Sequence, residues 1–345
     1  MDFKVVQVID IPGAPIPDYG EMLRQAGLEV EFVKVHCTTE DDIIAAAHDA
    51  DAIIGVAAFQ PFSRNVIEEL TKCRLILSMG IGYDNLDLEA ATEHSILVAN
   101  VPDYCLEEVS DHAMALILTS TRKIVKLSRI VEKGGWKTEP DPEIQRSIWP
   151  TMSRLRGQTL GLVGFGRIPQ TLVPKAKGFG LRVIAYDPYV QPSVFEALGV
   201  ERVELDQLLV ESDIISLHSA LTAETKHMLG LEQLKKMKPT AYLINTARGA
   251  LIDQRALHTA LTERYLAGAA LDVTEPEPIN PDDPLLKLDN VIVTAHSAHF
   301  SIPAYLELTR RPGEEVARVL KGDWPIGLLN PQVKERYSQR WGQAG

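Results

Sequence analysis

Cysteine is scarce in this chain: Cys37, Cys73 and Cys105 are the only three among 345 residues. They are odd in number, widely spaced and form no CxxC pair, which excludes a disulfide framework and a thiolate metal cluster. Long apolar runs are missing as well. Although 45% of the residues are hydrophobic, no uninterrupted stretch is long enough to span a bilayer. Positive charge is in deficit, since 35 Lys and Arg face 47 Asp and Glu for a net −12. That balance argues against a nucleic-acid partner, which wants a basic face. The start, MDFKVVQVID, opens directly on a strand pattern without a leader-like segment. The expectation is a soluble, cytoplasmic protein with neither a membrane nor a nucleic-acid partner.

What is present suits two domains. In the first hundred residues, apolar runs at Val5–Ile9, Val30–Val35, Ala52–Val56, Leu75–Ser78 and Ile96–Ala99 read as buried strands. Helical patterns at Asp18–Ala26, Glu40–His48, Ser63–Leu70 and Leu88–His94 separate them. Continuous apolar strands alternating with helices predict a parallel sheet covered on both faces. After the break VPDYCLEE, the pattern predicts one long helix from Glu107 to about Val131. Residues 133–153 are irregular, and a second β-α series then runs from Thr159 to Ala295. A final helix, about Ile302–Lys321, has no later strand to pair with. Its return to the first domain would make that domain discontinuous and open a hinged cleft.

The stretch GLVGFGRIP (161–169) closes the first strand of the second series. Gly164 permits a tight turn, and Gly166 lets the backbone approach a pyrophosphate at a helix N-terminus. The next strand ends in Asp187, placed to accept from ribose hydroxyls, so NAD is expected and NADP less so. The third glycine of the fingerprint is replaced by Pro169, tolerable in a first helical turn.

Charged groups follow three later strands. Arg248 follows LIN, Asp272 closes LAGAALD with Glu277 just beyond, and His296 follows VIVTA. In parallel sheets, ligands bind beyond the carboxyl ends of the strands. A histidine oriented by a carboxylate is a proton carrier, and an arginine fork suits a carboxylate or carbonyl. Taken singly, each has a blander reading: a salt-bridge partner for Arg248, a turn cap for Asp272, a solvated loop residue for Glu277, a structural histidine for His296. Together, behind a dinucleotide turn, they describe hydride transfer on a 2-hydroxy or 2-oxo acid.

The motifs GIGYDNLD (80–87), VPDYCLEEVSDHA (101–113), LGLVGFGRI (160–168), INTARGALID (244–253), GAALDVTEPEP (268–278) and NVIVTAHSA (290–298) resemble those of the D-isomer-specific 2-hydroxyacid dehydrogenases. VPDYC, the DPY at 187–189 and HSAHFS (296–301) are most similar to the C-terminal-binding-protein-like subgroup. The resemblance implies two doubly wound parallel-sheet α/β domains with a cleft between them. One is a flavodoxin-like substrate domain (1–104 and 300–345), the other a Rossmann NAD-binding domain (105–299) with a dimerisation arm at about 107–153.

It also implies roles. His296 would be the general acid/base, Glu277 its orienting carboxylate, and Arg248 the substrate's anchor. Gly164, Gly166, Arg167 and Ile168 would line the pyrophosphate. His218, Thr246, Ala247, Arg248, Asp272 and His296 would lie along the cofactor, with Asp272 at the nicotinamide. The amides of Gly80, Ile81 and Gly82 would receive the substrate carboxylate, with Ala57, Tyr104 and His299 around the substrate. Phe59, Tyr83 and Phe300 are further candidates for that pocket. The implied activity is an NAD(H)-dependent 2-oxo acid reductase acting as a homodimer on a small molecule, without a metal. The alternative is an NAD(H)-sensing dimeric scaffold like the family's corepressor branch.

Ala220, Ala295 and Ser78 depart from the family pattern, Ser78 standing where several members carry an arginine. The apolar loop Val56–Phe59 lacks Lys and Arg, which makes a phosphorylated substrate less attractive. The tail after Asn330 is expected either to be disordered or to pack across a dimer, with Trp341 favouring the second.

Overall fold

The computed structural model describes residues 2–9, 16–136, 142 and 144–342. The chain divides into two compact units, residues 1–104 with 301–345, and residues 105–300. Among the described residues, no helix is long and apolar enough to cross a membrane.

The first unit carries β1 (Phe3–Gln7), α1 (Tyr19–Gln25), β2 (Val30–Lys34), α2 (Glu40–Ala47), β3 (Ala52–Gly55), α3 (Arg64–Glu69), β4 (Leu75–Ser78), α4 (Leu88–Glu93) and β5 (Leu97–Asn100). All pairings are parallel, in the order β2-β1-β3-β4-β5. Alternation along the strands feeds two cores. Val6, Ile53, Ile76 and Val98 face one, and Val5, Ile54, Leu77 and Ala99 face the other. This double coverage is why the strands β3, β4 and β5 are buried at every position. Side chains cap the helices where the sequence offers them, as Asp18, Thr39 and Asp87 do by accepting first-turn amides.

The second unit opens with α5 (Leu106–Thr121) and α6 (Ile124–Glu132). The single long helix expected from Glu107 to Val131 is therefore broken. Lys123 adopts φ 57, the left-handed conformation that ends one helix and redirects the chain into the next. Its ammonium donates to the Tyr242 hydroxyl, which helps offset the backbone cost. Next come β6 (Thr159–Val163), α7 (Arg167–Gly178), β7 (Arg182–Tyr186), α8 (Pro192–Ala197), β8 (Glu201–Arg202), α9 (Leu205–Glu211) and β9 (Ile214–Leu217). The unit closes with α10 (Leu231–Lys236), β10 (Tyr242–Asn245), α11 (Gln254–Thr262), β11 (Gly268–Leu271) and β12 (Val291–Val293). The seven parallel strands run in the order β12-β11-β10-β9-β6-β7-β8. The order reverses between β6 and β9, and a crevice at such a switch point is where open α/β sheets bind ligands. Of the irregular segment 133–153, residues 137–141 and 143 lie outside the described residues.

The chain then returns to the first unit as α12 (Ile302–Leu320) and α13 (Lys334–Trp341). Val316, Val319 and Leu320 enter its core, and the Tyr19 hydroxyl donates to the Thr309 carbonyl at 2.6 Å. The described part of the tail is therefore ordered, and it packs on its own unit. Tyr337 of α13 is buried in that same core, Trp341 donates its indole N–H to the Ser95 carbonyl, and Arg340 donates to the Thr71 and His94 carbonyls.

Candidate active site

The glycine turn after β6 is built by close approach. Gly164 has φ 90, and a Cβ there would sit 2.7 Å from the Ser219 nitrogen and 2.8 Å from the His218 carbonyl carbon. Only glycine satisfies both demands. Gly166 is different: it precedes α7 as its N-cap, its φ of −70 is ordinary, and a Cβ would meet nothing within 4 Å. That open space lies over the first amides of α7, those of Arg167 and Ile168. Pro169, buried at the third helical position, has no N–H to contribute and fits there without breaking the helix. Asp187, just past β7, accepts from the Phe165 amide at 2.8 Å with one oxygen and from Tyr189 at 2.9 Å with the other. The carboxylate expected at the ribose thereby also braces the glycine turn.

At the ends of β9 and β10, His218 lies beside Ser216, with Nε2 2.9 Å from the hydroxyl. Enclosure of its ring pushes the His218 pKa down to about 3, so it stands neutral at physiological pH. Thr246 has a buried hydroxyl with no hydrogen-bond partner among the described residues. Asn245 organises the turn that follows, accepting from the Ala247 amide at 3.0 Å and donating to the Arg248 carbonyl at 2.8 Å. A Cβ on Gly249 would fall 2.1 Å from the Thr274 carbonyl, so the Arg248 turn rests directly on the loop that carries Glu277.

That loop and the turn after β12 bring together the acid–base candidates. His296 Nδ1 is hydrogen-bonded to Glu277, and both side chains are about one-third exposed, at 30% and 32%. The His299 ring packs edge-on to His296 at 5.8 Å. Burial pushes His299 below the usual histidine range, and the adjacent His296 adds to the effect. Asp272, just past β11, is enclosed beneath this turn. Its side chain has no accessible surface, and its oxygens accept from the Thr294 hydroxyl, the Ser297 amide and the Ala298 amide. These three hydrogen bonds hold it against the histidine turn. The turn-capping reading is the one the geometry matches. Two members of this cluster, His112 and Thr294, were not singled out by sequence reasoning; their contact joins residues far apart in the chain.

In the first unit, the turn after β4 is pinned by its carbonyls. Val101 donates to Gly80 at 3.0 Å, Asn100 to Ile81 at 2.7 Å, and the Ser78 hydroxyl to Gly82 at 3.1 Å. Among the described residues, none of the three N–H groups of Gly80, Ile81 and Gly82 has a protein acceptor. Such a run of unsatisfied amides is a potential anion nest. Gly80 has φ 140, which favours glycine there. Ala57 is fully buried and its amide is spent on the Ser78 hydroxyl at 3.0 Å, so it supports this turn from below. Tyr104 lies in the turn just before α5, half-buried, while Phe59 is exposed.

This geometry is a dinucleotide-binding sheet with a histidine–carboxylate pair and an arginine beyond its strand ends. The model of the D-isomer specific 2-hydroxyacid dehydrogenase NAD-binding domain matches residues 114–298, and the chain belongs to this family. It is 41% identical over 319 residues to a glyoxylate reductase of Korarchaeum cryptofilum, covering 92% of this chain and 94% of that one. It is 39% identical over 301 residues to a D-3-phosphoglycerate dehydrogenase of Methanocaldococcus jannaschii, covering 86% of this chain and 55% of the relative. Among solved structures, D-lactate dehydrogenase of Aquifex aeolicus in complex with NAD and lactic acid superposes with a TM-score of 0.78 at 28% identity, covering 93% and 96% of the two chains. The curated relatives are named as reductases and dehydrogenases, so the narrower likeness to the C-terminal-binding-protein-like subgroup rests on its short motifs alone.

Proposed function

We propose that this protein is an NADH-dependent reductase of small 2-oxo acids, forming D-2-hydroxy acids, with glyoxylate the first substrate to test. The observation that carries the reading is the His296–Glu277 pair at the end of β12, in the same sheet as the glycine turn after β6. The residues fit a nicotinamide dinucleotide. Gly166 leaves open the space a pyrophosphate needs, the Arg167 and Ile168 amides head α7, and the Thr246 hydroxyl is an orphaned polar atom awaiting a partner. The half-buried Asp187 carboxylate would repel a 2′-phosphate, which favours NADH over NADPH.

The bound cofactor supplies the hydride. The protein supplies orientation and the proton. Arg248 holds the substrate carboxylate and polarises the carbonyl through its planar fork. Because Glu277 engages Nδ1 of His296, the proton passes from Nε2 to the carbonyl oxygen. Glu277 fixes the ring's orientation and offsets the imidazolium charge before transfer. The three amides at Gly80, Ile81 and Gly82 are proposed as carboxylate donors, taking over from the arginine that Ser78 replaces. The loop Val56–Phe59, without a cation, disfavours a phosphorylated substrate, although one relative is named for phosphoglycerate. We also assign a homodimer, joined through the arm at 107–153. No residue of α6 is buried, and its Ile124 and Val131, like Trp136 and Trp149, are exposed.

The test is oxidation of NADH and NADPH against 2-oxo acids graded from glyoxylate and pyruvate to aryl-pyruvates, beside His296→Ala. Turnover that disappears in the variant supports the reading. Tight NADH binding without reduction of any member would sink it and favour the NAD(H)-sensing scaffold.

A further inference from the structure

We propose that His112 is a positioning residue for His296, acting through Thr294 and Asp272; the inference rests on the acid–base role just assigned to His296. The starting point is the backbone. His296 has φ 49, a conformation that residues with a side chain rarely adopt and that the surroundings must impose.

Asp272 imposes it. Its carbonyl accepts from the His296 amide at 2.8 Å, and its carboxylate accepts from the next two amides, Ser297 at 3.1 Å and Ala298 at 2.9 Å. Three consecutive N–H groups are thus gathered onto one residue. The same carboxylate receives the Thr294 hydroxyl at 2.5 Å. A carboxylate with no accessible surface needs this degree of satisfaction to stay in place.

His112 completes the set from α5. Its Nε2 lies 3.2 Å from the Thr294 hydroxyl oxygen and 3.5 Å from the Asp272 carboxylate. Because Thr294 gives its own proton to Asp272, its oxygen accepts from His112, which fixes the Nε2–H tautomer of that ring. The order of donation runs His112 to Thr294 to Asp272, and the backbone of the histidine turn hangs from its end. Without His112, the Thr294 oxygen loses its donor and the buried carboxylate loses its nearest N–H-bearing ring. The turn can then relax toward negative φ, which swings the imidazole away from Glu277. Generic packing does not explain the residue: α5 reaches its core through Ala113, Met114, Leu116 and Ile117, while the His112 side chain stays 24% exposed.

The experiment compares wild type with His112→Ala, His112→Gln and Thr294→Val. It reads NADH affinity, kcat and KM on the best 2-oxo acid, and the low-field proton resonance of His296 Nδ1–H, identified by its loss in His296→Ala. In the Ala and Val variants, NADH affinity and KM stay within about two-fold of wild type while kcat falls by about ten-fold or more, the scale expected for a displaced catalytic group. Their low-field resonance broadens or vanishes. His112→Gln, whose amide can donate to the same hydroxyl, recovers most of both. A folded His112→Ala with wild-type kcat and resonance overturns the inference. So does parallel loss of NADH affinity and thermal stability in all three variants, and so does a wild type lacking the resonance. If the wild type reduces no 2-oxo acid, the proposed function fails by itself, and the resonance still decides the role of His112.

Discussion

Glu277 holds His296 at Nδ1 from a loop that is itself braced at several points. The Glu275 amide donates to Gln254 at 3.0 Å, its carboxylate contacts His227 at 2.5 Å, and the Thr274 hydroxyl donates to the Pro276 carbonyl at 2.9 Å. The segment just before the carboxylate is therefore held in place before any substrate binds. Fixed aim is what general acid–base chemistry requires of the second member of a pair.

Replacing that charge while keeping the shape isolates its contribution. Glu277→Gln keeps a hydrogen-bonding group at Nδ1 but cannot offset an imidazolium. We expect kcat for 2-oxo acid reduction to fall by about 10²-fold, the lower range for removing acid–base assistance. NADH affinity, measured by fluorescence titration, should be unchanged. A variant with wild-type kcat would remove Glu277 from the mechanism.

Two glycines of the site separate support from ligand access. At Gly249 an added methyl collides with the Thr274 backbone at 2.1 Å, and neither side can yield without moving both Arg248 and the Glu277 loop. Gly249→Ala should cost about 3 kcal/mol, the upper end for overpacking, and abolish activity. At Gly166 the methyl meets only open space, so Gly166→Ala should change stability by no more than about 1 kcal/mol. Its loss appears instead as NADH binding weakened by about ten-fold, or 1.4 kcal/mol. Thermal melts with and without NADH distinguish the two, and a Gly166→Ala variant with unaltered affinity would move the pyrophosphate elsewhere.

The architecture was legible because its central strands are buried on both faces, which writes them as short, largely apolar runs such as Leu75–Ser78 or Ile214–Leu217. The glycine turn was legible for a related reason, since close backbone approach leaves only one residue type at Gly164. The break at Lys123 was hidden, because Arg122 and Lys123 are good helix formers and only their tertiary setting turns the backbone left-handed. Strand β8 was hidden by its two exposed, charged residues, and α13 by a polar sequence in which Tyr337 and Trp341 do the anchoring. Turn capping was one reading open for Asp272, but its particular partners could not be named because most of them are amides, and amides look alike in every sequence.

His218 makes stability depend on pH in a direction that can be stated beforehand. Enclosure holds its pKa at about 3 in the folded state, against about 6.5 in the unfolded chain. Between those values the unfolded chain binds a proton that the folded protein refuses. Stability from this group is therefore complete above about pH 6.5 and declines as the pH falls toward 3. Many carboxylates titrate across part of the same range, so the measurement must be a difference. The unfolding free energy of wild type minus that of His218→Gln should drop by about 1.4 kcal/mol between pH 7.5 and about pH 5.5, the linkage expected for a single histidine kept neutral. Glutamine can hydrogen-bond to Ser216 but does not titrate, which leaves the proton as the variable that separates the two proteins. Parallel pH profiles for both would mean that the His218 ring is hydrated and charges freely, and would withdraw it from the enclosed wall beside the glycine turn.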